Sequence, residues 1–261
     1  MADRPRNDDW WLASDGRWYP PSLDPGEDRP SSSEPRDDAP MISSSFTLVV
    51  SIALFVASVI LVGAAYAGLR YAWALQKYSG ELSDPEKESL ASVELTWASW
   101  TGLGLLALIL TGVLVIGWTY SASRSLDNRG PIGRRWRGWW TIGSWLIPFG
   151  NFFLPKLVFN EIERIAEVPY GRVPIGEQWR TYPRSRIGDL WWLLWLGGVI
   201  PGQLIQILIG DPEGDAGRLA IMVNINSFTY AFFAGAGIAL ALLVRRIERS
   251  SRTASSASRG R

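Results

Sequence analysis

The sequence predicts an all-α membrane protein with four transmembrane helices, a Pro-broken re-entrant or interfacial helical segment, and a disordered N-terminal tail carrying a small aromatic hairpin. Three observations predict it. No charged residue falls within 39–69, 95–123, 190–210 or 219–244, and a helix needs about 20 apolar residues to cross a hydrocarbon core about 30 Å thick. A shorter apolar run, 138–155, is interrupted by Pro148. The 45 residues before Phe46 hold seven Pro, ten acidic and five basic residues, too little apolar surface to offset chain entropy. The expected units are a cytoplasmic tail, 1–45, a helical membrane domain, 46–247, and a basic cytoplasmic tail, 248–261.

Within the first tail, residues 8–21 form an aromatic island, Trp10-Trp11-Leu12 through Trp18-Tyr19-Pro20-Pro21. Asp15-Gly16 is a two-residue hairpin signal. It brings Trp11 and Trp18 into cross-strand range, where aromatic pairs contribute. An isolated hairpin is marginal in water, so Trp11, Trp18 and Tyr19 are candidates for docking on a protein partner or touching the bilayer. No short apolar signal-peptide core lies near Met1.

The spans are expected near 46–69, 97–120, 190–209 and 220–244. Their small residues, such as Gly63 and Gly68 in the first and Gly235 in the last, allow close backbone approach in lipid. Ordinary packing within one bundle is the expected use. Trp97, Trp100, Trp118, Trp139, Trp140, Trp191 and Trp192 lie near run ends, where indole rings favour the headgroup level. In the run 138–155, Pro148 removes a backbone bond and Gly150-Asn151 is a turn signal. Pro155 suits the first turn of a new helix. The stretch 156–167 is amphipathic, with Leu157, Val158, Ile162 and Ile165 roughly on one side. Two half-helices joined at Pro148–Asn151 fit better than one straight span.

Lys and Arg favour cytoplasmic loops. If the third run does not cross, 18 of the Lys and Arg near span ends fall on one side and 4 on the other. If it crosses, the better division is 14 against 8. The first division is preferred, with both tails in the cytoplasm and the protein in the plasma membrane.

The chain has 261 residues, a net charge of +1, no Cys and no His. The usual imidazole and thiolate metal ligands are missing, as are the Cys nucleophile and the His base. The charge balance does not suit nucleic acid. A non-enzymatic protein with no cofactor is expected. No Asp, Glu, Lys or Arg lies inside a span, which argues against a proton-coupled pump. The amides Gln203, Gln206, Asn224 and Asn226 are expected to hydrogen-bond between helices. Pro201-Gly202 is expected to kink its helix. Arg134, Arg135 and Arg137 form a basic stretch that suits either anionic lipid headgroups or the ordinary positive-inside role. The alternating Asp211, Glu213 and Asp215 read as a solvated acidic turn.

Trp118-Thr119-Tyr120 precedes Arg124 and this basic stretch. Trp145-Leu146-Ile147-Pro148-Phe149-Gly150-Asn151 follows, then Leu154-Pro155 and Asn160-Glu161-Ile162. Over Trp118–Glu167 the chain resembles a family of actinobacterial multi-pass membrane proteins catalogued as domain of unknown function 4328. Ser121 and Ser125 stand where the family pattern carries Arg and Asn. The resemblance implies architecture rather than chemistry, and it draws attention to Arg124, Trp145, Pro148, Asn151 and Pro155. The island at 8–21 is similar to a short Trp-rich repeat at the N-termini of many actinobacterial membrane proteins, which implies a tethered interaction module. The expected role is a scaffold or regulatory envelope protein. The alternative is a small-molecule or lipid transporter or channel component built on the break at Pro148–Asn151.

Overall fold

The computed structural model describes residues 11–12, 18–19, 42–78, 82–169, 175–209 and 215–259. The Asp15-Gly16 turn, the stretch 20–41, Asp211 and Glu213 lie outside the described residues, as does the side chain of Gln206. The chain separates into two units, Met1–Asp38 and Ala39–Arg261.

In the first unit, β1 (Trp11–Leu12) pairs antiparallel with β2 (Trp18–Tyr19). The register sets Tyr19, not Trp18, opposite Trp11, and Trp18 opposite Leu12. This corrects the expected Trp11–Trp18 cross-strand pair. Because facing residues alternate along a strand, a shift of one changes every partner.

The second unit is all-helical. Helix α1 (Ser44–Lys77) starts where the Ser43 hydroxyl accepts the Phe46 N–H at 3.3 Å, satisfying one open donor of the first turn. Helix α2 (Asp84–Asp127) opens on a capping box. The Glu86 carboxylate accepts the Ser83 N–H at 2.9 Å and its hydroxyl at 2.6 Å, with Pro85 in the first turn. Two short helices follow, α3 (Trp140–Leu146) and α4 (Leu154–Glu167), then α5 (Arg186–Ile209) and α6 (Ala216–Arg259). Asp215 is not only part of an acidic turn. Its carboxylate accepts the Arg218 N–H at 3.0 Å and so caps α6.

Helices α1, α2 and α6 are each long and apolar enough to cross a membrane. They also outrun their apolar stretches. At 1.5 Å per residue, the 34 residues of α1 reach about 51 Å and the 44 of α2 about 66 Å. The stretch 70–94, between the first two expected spans, is therefore mostly helix. Tyr71, Ala72 and Leu75 of α1 bury there with Ala220 and Val223 of α6, against Leu90, Val93 and Trp97 of α2. Helix α5 is 24 residues, with Pro201 inside it.

The long helices lie in the order α2–α1–α6–α5, with α1 packed on both α2 and α6 and with α5 on α6. Small residues set the spacing between them. A Cβ on Gly63 would sit 2.6 Å from the Trp100 ring of α2, and one on Gly198 would sit 2.6 Å from the Phe233 ring of α6. These glycines serve packing inside one bundle, as their spacing implies. The outward faces of α1 and α2 expose Phe55, Val59, Val62, Leu106, Leu110 and Val113, a continuous apolar surface of the kind that marks contact with lipid.

The run 138–155 does not form one span. Helix α3 has seven residues, about 10 Å, and α4 crosses the ends of α2, α5 and α6. Two of the tryptophans expected at the interface are core instead. Trp118 is 1% exposed and Trp191 is 2% exposed. They meet through Phe159 of α4, whose ring stacks on Trp118 at 6.2 Å and lies tilted against Trp191 at 5.0 Å. Trp139, 78% exposed, fits the interfacial reading.

Candidate functional site

One end of the bundle concentrates both the polar groups and the broken segment. It is built on α4. Val158, Phe159, Ile162, Ile165 and Ala166 make one buried apolar face, the burial that holds the helix in place. The opposite face does not meet open solvent, because Lys156, Asn160, Glu161 and Glu163 are buried too. Their charges are matched by groups brought from other elements.

Arg134 is the first of these. Its side chain is fully buried, and its Nε donates to Glu161 Oε1 at 2.9 Å. Its Nη1 donates to Asp127 Oδ1 at 2.6 Å and to the Ser123 carbonyl at 3.2 Å. Glu161 also accepts the backbone N–H groups of Arg135 (3.1 Å) and Trp136 (3.2 Å). The connection 128–139 is thereby clamped to α4 and to the end of α2. This corrects the assignment of Arg134 to a lipid-binding stretch: a guanidinium that donates to two carboxylates is not offered to a headgroup. Arg135 and Arg137 remain exposed.

Lys156 is the second. Its Nζ reaches Asp189 Oδ1, in the first turn of α5, at 2.7 Å. Burial pushes the Lys156 ammonium below its usual range, opposed by the hydrogen bond to Asp189. That hydrogen bond holds the Asp189 carboxyl below its own usual range. Arg246 of α6 is the third, 3.4 Å from Glu163 and 2.7 Å from Glu167. Nearby, the buried Arg129 donates to the Ser251 hydroxyl at 2.7 Å and its carbonyl at 3.0 Å. Residues 248–259, expected as a basic tail, continue α6 as helix, with Ser251 and Ala254 buried.

The break beside this node has an unusual backbone. Phe149 sits at φ 59°, ψ −33°, and the Gly150 N–H donates back to the Pro148 carbonyl at 2.7 Å, a tight γ-turn. Positive φ is costly for a residue with a Cβ. Gly150 leaves no choice of residue, since a Cβ there would lie 2.9 Å from both Ile147 and Leu154 side chains. The Trp192 indole N–H fixes the turn by donating to the Phe152 carbonyl at 2.8 Å.

The expected site residues divide between these features. Trp145 packs near Trp191 and Trp195, at 6.4 and 6.2 Å between rings. It lines an apolar cavity of about 210 Å³ with Leu54, Gly112, Phe233 and Gly237 among the other walls. Pro148 is exposed, Asn151 lies in the turn, and Pro155 is buried in the first turn of α4. Arg124 is exposed, its guanidinium 5.8 Å from the Tyr120 ring. Gln203 is exposed. Gln203, Asn224 and Asn226 make no side-chain hydrogen bond among the described residues, contrary to expectation. Hydroxyls do that work instead. Ser58 of α1 donates to the Ala234 carbonyl of α6 at 2.9 Å, and the Trp118 indole of α2 donates to Thr47 of α1 at 2.8 Å.

Sequence reading passed over Asp127, Lys156, Glu161, Glu163, Asp189 and Arg246. One signal was present: Lys156, Asn160, Glu163 and Glu167 follow i, i+4, i+7, i+11 spacing, a polar stripe on one face of α4. Among the described residues, no group of three or more acidic side chains could hold a metal ion.

The family model described as a domain of unknown function (DUF4328) matches residues 82–249. The chain belongs to this family. In the DUF4328 match, every ion pair around α4 described above falls inside the boundaries, as do the break and helices α2 to α5. Helix α1 and the aromatic island precede it. No curated protein and no solved structure matches the chain.

Proposed function

We propose that this member of DUF4328 is a four-pass plasma-membrane protein with both ends of its helical unit in the cytoplasm, acting as a non-enzymatic scaffold or regulatory protein of the envelope. The observation that carries the reading is the meeting of four helix ends. Thr47 at the start of α1, Trp118 late in α2, Asp189 at the start of α5 and Arg246 late in α6 all join the α4 end. That arrangement supports an even number of crossings, with α5 as the fourth span. The excess of Lys and Arg in 121–137, 160–189 and 245–261 supports the cytoplasm as the side. The buried ion pairs make a fixed platform there, and the aromatic residues Trp11, Trp18 and Tyr19 recruit a protein partner on a tether of low-complexity sequence.

The chain has no native Cys, so single-Cys labelling starts without background. Gln178 is exposed near the node. Gln178→Cys in intact cells should resist an impermeant maleimide until lysis; labelling from outside overturns the orientation. Removal of residues 1–21 should abolish recovery of the partner after cross-linking, and unchanged recovery overturns the recruiting role.

A second reading rests on the apolar cavity beside Trp145, which suits a transporter of an apolar solute or lipid. Reconstituted vesicles should then show flux that changes in Pro148→Ala and Asn151→Ala. No flux across a broad solute panel removes it.

A further inference from the structure

A second cavity borders the ion-pair node and shares Glu167 and Arg246 with it. It is a cleft of about 740 Å³ against α6, and its walls include Ile187, Leu242, Arg245, Arg246 and Arg249. The three arginines are not equivalent. Arg246 is neutralised by Glu163 and Glu167. Arg245 and Arg249 are exposed and have no ion pair among the described residues. Glu167, Tyr182, Ser250 and Thr253 also line it, the Glu167 carboxylate being held by Arg246.

The height of this cleft follows from α6. Its uncharged stretch, 219–244, holds 26 residues between Arg218 and Arg245, about 39 Å of helix. The hydrocarbon core is about 30 Å thick, and the bilayer with its headgroups about 40–45 Å. Arg245 therefore stands at headgroup level when α6 crosses, with Leu242 one turn deeper at the edge of the acyl region. Ile187 stands on α5 three residues before its uncharged stretch begins at Leu190, on the headgroup side of that boundary. Cations above and apolar side chains below match the order of groups in a phospholipid.

We propose that this cleft binds the headgroup phosphate of an anionic membrane phospholipid, with Arg245 and Arg249 as its cations and Leu242 against the start of its acyl chains. The site is separate from Arg135 and Arg137. It requires α6 to cross the membrane and not the full four-span topology, so a failed topology test and a failed lipid test are distinguishable.

The test uses the full chain in phosphatidylcholine nanodiscs, titrated with fluorescent phosphatidylglycerol. The parent should bind it in preference to labelled phosphatidylcholine. Arg245→Gln with Arg249→Gln should bind at least about tenfold more weakly, from a contribution near one unit of kcal/mol per basic residue at the surface. The single Arg249→Gln, a milder change, should fall about fivefold, and Arg245→Lys with Arg249→Lys should keep most of the binding. Parent-like binding by the Gln variants overturns the proposal. So does an equal loss in Arg135→Gln with Arg137→Gln, which points to diffuse surface charge. Displacement of the probe by millimolar inorganic phosphate overturns it in favour of a soluble anion.

Discussion

The Arg134 guanidinium meets the Glu161 carboxylate at 2.9 Å with neither side chain more than 5% exposed. Removing one partner of such a pair strands the other charge, which costs about 3–5 kcal/mol, whereas replacing both with apolar groups is much gentler. Arg134→Met strands both Glu161 and Asp127. Thermal unfolding of the protein in detergent should show a loss of about that size. Arg135→Met, at an exposed neighbour, should stay within about 0.5 kcal/mol of the parent. Equal effects would remove the node from the account of stability.

Thr47 accepts the Trp118 indole N–H across the α1–α2 interface, and both residues are buried. Thr47→Val keeps the shape and deletes the acceptor. The stranded donor should cost about 1–3 kcal/mol in the same unfolding measurement. Thr47→Ser keeps the acceptor and should recover most of the loss.

Asp189 gives a pH dependence with a definite sign. The hydrogen bond from Lys156 lowers its carboxyl below the usual 3.8. A carboxylate whose folded pKa is depressed adds stability that is present above the unfolded value and lost as pH falls through the folded one. Asp189→Asn should therefore be less stable than the parent at neutral pH, and the gap should close as pH falls below 3.8. Lys156, lowered from 10.5 by burial, acts in the other limb. The unfolded chain binds the extra proton there, so stability rises as pH climbs toward 10.5. A gap that stays constant through the acid range would overturn the assignment.

Phe149 holds positive φ with its ring 80% exposed. Phe149→Gly relieves the backbone without emptying any packed site. The relief, of order 1–3 kcal/mol, exceeds the 0.5–1 kcal/mol that Gly adds to the freedom of the unfolded chain, about the size seen for Gly in regular structure. The variant should unfold at a higher temperature in detergent. An unchanged or lower midpoint would mean that the turn carries no strain.

The apolar runs and the break were legible because both follow from short local stretches. Length and lack of charge mark a span, and Pro148 removes a helix hydrogen bond just before the Gly150-Asn151 turn signal. The node was not legible, because Arg134 and Glu161 are 27 residues apart and Arg246 and Glu167 are 79 apart. Read along the chain, Arg134 is one more arginine in a basic loop. Trp118 and Trp191 were misplaced for a related reason: an indole near a run end suits either a headgroup layer or a core, and only the arrival of Phe159 between them decides. The amides drew attention by their polarity, but Ser58 and Thr47 bridge the helices because short hydroxyls fit where backbones run close.

The spacing of these partners also imposes an order in time. Glu167 emerges from the ribosome 79 residues before Arg246, an interval of roughly 4–16 s at 5–20 residues per second. Throughout it, Glu163 and Glu167 have been synthesised and their cation has not. Helix α4 can fold early on its own apolar face, but its full set of partners exists only once the end of α6 has been made. A nascent chain halted before Arg246 would hold Glu167 without its cation at a surface that the finished chain seals.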